Sequence, residues 1–133
     1  TKWKLKKKLK KGINNYYMPF YFEKLIVWQK SLALTKIVYK IIKTLPREEQ
    51  YSLIDQMRRA SISIMSNIAE WSGRSSNADK NHFFVIAKWS SMELASQLIL
   101  MKELGYTVSD EEYAESLRLV EDISSMLFSL TTK

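Results

Sequence analysis

The stretch DQMRRASISIMSNIAEWSGR, residues 55–74, holds the side chains best suited to chemistry. Gln56, Arg59, Ser63, Asn67 and Glu70 recur on one face of a helix, within roughly 80° of one another at about 100° per residue. They run beside Met57, Ala60, Ile64 and Ile68, which have the character of a core. A second row follows a short break: His82, Ile86, Ser90, Glu93 and Gln97. Antiparallel neighbours across that break pair Gln56 with Gln97, Arg59 with Glu93, Ser63 with Ser90 and Glu70 with His82. Read as a structural seam, the two rows fix helix register through buried polar contacts, with Arg59 neutralised by Glu93 out of water. The same row could instead line a binding site in which Arg59 and Asn67 hold a phosphate or a base edge, or it could form a subunit contact.

The other chemistry-bearing residues are sparse. His82 is the only histidine and there is no cysteine, so disulfides and thiolate metal sites are excluded and a transition-metal centre is not expected. No Gly-rich phosphate loop occurs, and no Ser–His–Asp arrangement is readable from spacing. Asp110, Glu111, Glu112, Glu115, Glu121 and Asp122 read as a capped, solvated helix face. The expectation is a protein that is not an enzyme and carries no cofactor.

Charge is distributed unevenly. Lysine and arginine total 21 against 14 acids, a net +7. All of that excess lies in TKWKLKKKLKKG, residues 1–12, which hold seven lysines and no acid, so the remainder is formally neutral. Cations that could meet a nucleic-acid backbone are Arg47, Arg58, Arg74, Lys80 and Lys88 in the body of the chain, and Lys6, Lys7 and Lys8 in the tail. The tail admits several readings: an RNA-binding arm, an anionic-membrane anchor, a solvated disordered arm, or residues preceding a natural start at Met18. Trp3, Leu5 and Leu9 do not make a clean helical stripe, which weakens the membrane reading.

The elements that must position these residues are helices. With three glycines and two prolines, breakers are rare, which favours a few long helices over many short strands. Residues 1–21 are read as a basic and then aromatic tail (ending NNYYMPFYF), and 22–131 as the folded domain. The first helix is expected over 22–44, with Leu25, Trp28, Leu32, Tyr39 and Ile42 inward, ending before Pro46. The second starts near Pro46 or a few residues later and runs to about Trp71, the third from a Ser76 cap to Leu104. The fourth runs over 110–131 behind a Ser109–Glu112 capping box, with Tyr113, Leu117, Val120, Ile123, Leu127 and Leu130 inward. Short loops make this an all-α, up-down-up-down antiparallel four-helix bundle. Several helices carry apolar residues over more than one stripe, which fits either a fat core or a homo-oligomer that buries outer faces. No apolar run approaches the ~18 residues of a membrane span and no secretory signal is evident, so a cytoplasmic protein is expected.

Three segments resemble a known family: VWQKSLALTKIVYKII, LPREEQYSLIDQMRRASISIMSNIAEWSGR and FFVIAKWSSMELASQLILMKELGY. They are similar to the bacterial four-helix-bundle proteins encoded in intervening sequences of 23S rRNA genes, over residues 20–131. The motif with most weight is Gln56, Arg58, Arg59, Ala60, Ser63 and Asn67 to Glu70, followed by residues 86–98. The resemblance implies an up-down bundle that assembles as a ring-like homopentamer. It also implies kinship with accessory proteins of diversity-generating retroelements, which bind nucleic acid and a reverse transcriptase. For the intervening-sequence branch the biochemical role is unsettled. The expected function is therefore a scaffold associating with RNA or a ribonucleoprotein, or an adaptor for a protein such as a reverse transcriptase or ribosomal protein. Trp71 and Trp89 stand where the family usually has glycine, a change expected to force repacking at a close helix contact.

Overall fold

A computed structural model describes residues 19–131, with the backbone alone at Thr131. Within it the chain forms four α-helices: α1 (Ile26–Ile42), α2 (Leu53–Gly73), α3 (Asn77–Glu103) and α4 (Asp110–Thr131). Short 3-10 turns at Tyr21–Lys24 and Arg47–Glu49 lead into α1 and α2. The larger departures from the expected boundaries lie at the starts of α1 and α2. Leu25 is extended and separates the first 3-10 turn from α1, and Ser52 leaves helical geometry before α2.

The punctuation read from sequence operates as expected elsewhere. Ser76 Oγ accepts from Asp79 N at 3.2 Å and opens α3. Ser109 Oγ accepts from Glu112 N at 3.3 Å and opens α4, where Asp110, Glu111 and Glu112 meet the positive end of the helix dipole. Gly105 follows α3 with φ +82, a left-handed conformation that a side chain rarely adopts.

Each helix packs beside its neighbours in sequence, and α1 also lies against α4, giving an all-α, antiparallel four-helix bundle. The α2–α3 contact is the most extensive. The core runs through the axis: Val38 and Ile41 from α1, Met57 and Ile64 from α2, Leu94 and Leu98 from α3, Ile123 and Leu127 from α4. In α1 the buried face follows Val27, Leu34, Val38, Ile41 and Ile42, so of the expected inward line Ile42 is buried, Leu25 and Trp28 are partly buried, and Tyr39 is exposed. In α4 Val120, Ile123 and Leu127 are buried, Tyr113 and Leu117 are partly buried, and Leu130 is exposed. Buried hydroxyls return to their own helix: Ser91 donates to Ala87 O at 2.9 Å and Ser116 to Tyr113 O at 2.7 Å. Thr35 Oγ1 lies 2.8 Å from Ser31 O and 3.2 Å from Ser61 O, where α1 and α2 approach closely. Such bonds remove the cost of an unpaired buried polar group.

The α3 helix is apolar on both sides. Its inward face carries Phe84, Ala87, Leu94, Leu98 and Met101. Its outward face leaves Trp89 67%, Met92 50%, Ile99 48% and Leu100 50% exposed. The extra apolar width that the sequence displays on this helix is therefore surface rather than a thicker core.

Candidate functional site

The polar row reaches the α2–α3 interface only in part. Ser63 and Ser90 meet across it with their hydroxyls 2.7 Å apart. Asn67 Nδ2 donates to Ser63 O at 2.8 Å and lies 3.1 Å from Ser63 Oγ. Small side chains here let the helices approach.

The larger members turn outward, which corrects the expected buried pair. Arg59 is 74% exposed along its side chain and pairs with Asp55, one turn earlier on α2, at 3.0 Å. Glu93 is exposed and accepts from Gln97 Nε2 at 3.1 Å on its own helix. Glu70 pairs with Arg74 at 2.8 Å, and His82 is exposed, its ring edge-on to Phe83. Gln56 is exposed as well, while Gln97 Oε1 is buried without a partner. The reason is angular. The buried arc of α2 is centred on Met57, Ile64 and Ile68, and the polar row lies about 120° around the helix from it at 100° per residue. At that angle a short serine reaches the neighbouring helix and Asn67 bonds back to Ser63, whereas arginine and glutamate extend into water.

Asp55 sits between Arg59 and Arg58, 3.0 Å from each. Partial desolvation raises its pKa, but the two guanidiniums outweigh this and hold the carboxyl below its ordinary value.

The candidate RNA-contacting cations are divided by the fold. Arg47 lies in the turn before α2, at the far end of the bundle. Beside it, Tyr106 Oη donates to Glu49 at 2.8 Å, and Ser52 Oγ donates to the same carboxylate at 2.6 Å. Those bonds, Ser52's foremost, lower the Glu49 pKa, and Glu49 in turn raises that of Tyr106. Arg58 is occupied by Asp55, and Lys88 is exposed on α3. Lys6, Lys7 and Lys8 lie outside the described residues. Only Arg74 and Lys80 come together, at the α2–α3 turn: Arg74 sits over the Phe83 ring at 4.8 Å and Lys80 over Trp71 at 5.1 Å.

This end of the bundle also collects aromatic rings that the sequence reading left without a role. Phe20 and Phe22 stack with centroids 5.5 Å apart and planes 5° from parallel, and Phe22 meets Trp28 at 4.9 Å. A shallow cavity of about 230 Å³ separates Phe22 from Ala69, Glu70, Gly73 and Arg74. Phe20 and Phe22 were visible as part of an aromatic run, but the proximity of Phe22 to Ala69, Glu70, Gly73 and Arg74 depends on α2 returning to the end where α1 begins. Glu23, in the same turn, is 9% exposed with Oε1 lacking a partner. The two tryptophans differ: Trp71 is half-buried under Lys80, whereas Trp89 projects outward and displaces nothing at a helix contact.

Among the described residues no cluster of three or more potential metal ligands occurs, and no helix is long and apolar enough to cross a membrane. What the geometry offers is surface: an apolar helix face, and a basic-aromatic end.

These features define an antiparallel four-helix bundle. The 23S rRNA-intervening sequence protein family matches residues 23–129, and the chain belongs to that family. Among solved structures, it is similar to a protein of unknown function from the S23 ribosomal protein family of Bacteroides thetaiotaomicron. The two share 26% identity with a TM-score of 0.72, over 81% of this chain and 96% of the other. No curated protein matches the chain.

Proposed function

We propose that the protein is a non-enzymatic cytoplasmic scaffold whose copies close into a homo-oligomer, a pentameric ring, that associates with RNA or a ribonucleoprotein. The observation that carries the reading is the outward face of α3, where Trp89, Met92, Ile99 and Leu100 stand about half or more exposed. A contiguous apolar face on a small domain is costly to leave in water and marks an interaction surface. Cyclic closure satisfies such a face on every copy, whereas an open arrangement would leave the end copies uncovered. Family membership supports an RNA context, and the cations at the α2–α3 turn supply the charge for it.

Sedimentation tests the assembly: a monomer of 15.6 kDa at micromolar concentration rules out a tight ring. Filter binding at two salt concentrations, on the full chain and on one beginning at Met18, tests the RNA part, since phosphate contacts weaken steeply with salt. Binding by the full chain alone assigns it to the lysine-rich residues, and binding by neither ends the RNA reading. The same α3 face favours one second reading, an adaptor for a protein such as a reverse transcriptase or ribosomal protein. That adaptor would have no salt-sensitive RNA affinity and would remain monomeric without its partner.

A further inference from the structure

We propose that the end of the bundle formed by Phe20, Phe22 and Trp28 with Arg74 and Lys80 is a platform for unpaired RNA, on which a base stacks against the open face of Phe20. The inference rests on the RNA reading above and narrows it to single strands and to one end of the molecule.

The rings already form a short stack. Phe20 stacks on Phe22, Phe22 meets Trp28 at a tilt of 55°, and Phe20 is 57% exposed. A stack that ends in an open aromatic face can accept another planar ring, and every base supplies one. In a duplex those faces are already covered by neighbouring bases, so only an unpaired strand can use the platform. Phosphates would meet cations nearby. Across the cavity from Phe22 lies Arg74, braced on Phe83, with Lys80 over Trp71 close by. An arginine set over a ring loses little freedom when it binds a phosphate. One group opposes binding: Glu70 already holds Arg74 at 2.8 Å, and a phosphate must compete with it. That opposition gives the proposal a prediction of unusual sign.

The test is fluorescence anisotropy with a labelled twelve-nucleotide oligouridine and a twelve-base-pair RNA duplex, using the full chain at two salt concentrations. Single strand should bind more tightly than duplex. Phe20→Leu, which keeps apolar bulk but removes the plane, should weaken oligouridine binding by about fivefold or more, and Phe20→Trp should restore it. Duplex binding should be the same in all three proteins. Glu70→Gln should tighten oligouridine binding, and Arg74→Gln should weaken it. Phe20 is exposed, so these variants keep the bundle, as a circular dichroism melt would verify. If the duplex binds as tightly as the single strand, or Phe20→Leu binds oligouridine like the parent, stacking is refuted while RNA association stands. If the parent protein binds neither RNA, both proposals fall together.

Discussion

Replacing Trp89 with alanine separates folding from assembly. A tryptophan side chain presents up to about 250 Å². With Trp89 67% exposed, roughly 170 Å² of it remains open on the isolated bundle. At about 25 cal/mol per Å², covering that area in an interface is worth at most about 4 kcal/mol per copy. This corresponds to nearly three decades in the association constant of each contact. The bundle itself gains little from a ring already in water, so its melting should change by no more than about 0.5 kcal/mol. Sedimentation velocity from nanomolar to tens of micromolar, paired with thermal melts at the dilute end, reads both quantities. The expected result is a large rightward shift of the assembly midpoint with an unchanged monomer melt. If the variant assembles like the parent, the α3 face is not the interface. If the dilute monomer melts far lower, Trp89 supports the core and its placement on the surface is wrong.

Three further outcomes follow from the geometry. Arg59→Ala and Glu93→Ala should each alter stability by less than about 1 kcal/mol, as for exposed charges, rather than the 3–5 kcal/mol of a broken buried pair; urea titration distinguishes these. Ser90→Ala should cost about 1 kcal/mol by leaving Ser63 short of a partner, and the Ser63→Ala, Ser90→Ala double variant should cost less than the sum of the singles. The third concerns pH. The Glu49 pKa is lowered in the fold, so its contribution is present above the ordinary 4.5 and fades as pH falls through the lowered value. The Tyr106 pKa is raised, so its contribution is complete below the ordinary 10.0 and is lost as pH climbs through the raised value. Tyr106→Phe should therefore flatten stability against pH at both extremes, and a variant that keeps the parent's acid and alkaline slopes would show that this contact has no such role.

Helix number, order and termini are local properties, and they were legible before any coordinates. The Ser76 and Ser109 caps, Gly105 and the break before Pro46 each act within a few residues of themselves, so composition and spacing suffice to place them. The antiparallel pairing of α2 with α3 was legible too, because a three-residue connection leaves two long helices little choice but to lie side by side. Even the register survives, as the Ser63–Ser90 contact shows.

The rotation of each helix about its own axis is different, because it is a contest among all the faces that could be buried. On α2 the Met57–Ile64–Ile68 line excludes more apolar area from water than the polar row could, so Arg59 and Glu70 turn to solvent and find partners one turn away. On α3, apolar residues all round give periodicity no preferred side, and only packing against α2 and α4 leaves Trp89 and Met92 outside. The gathering of Phe20, Phe22, Arg74 and Lys80 at one end is likewise tertiary. They are some fifty residues apart in the chain, and only the return of α2 to the start of α1 places them together. Short-range rules specify the rods and their order, while the competition for burial decides which side of each rod, and which end of the bundle, meets a partner.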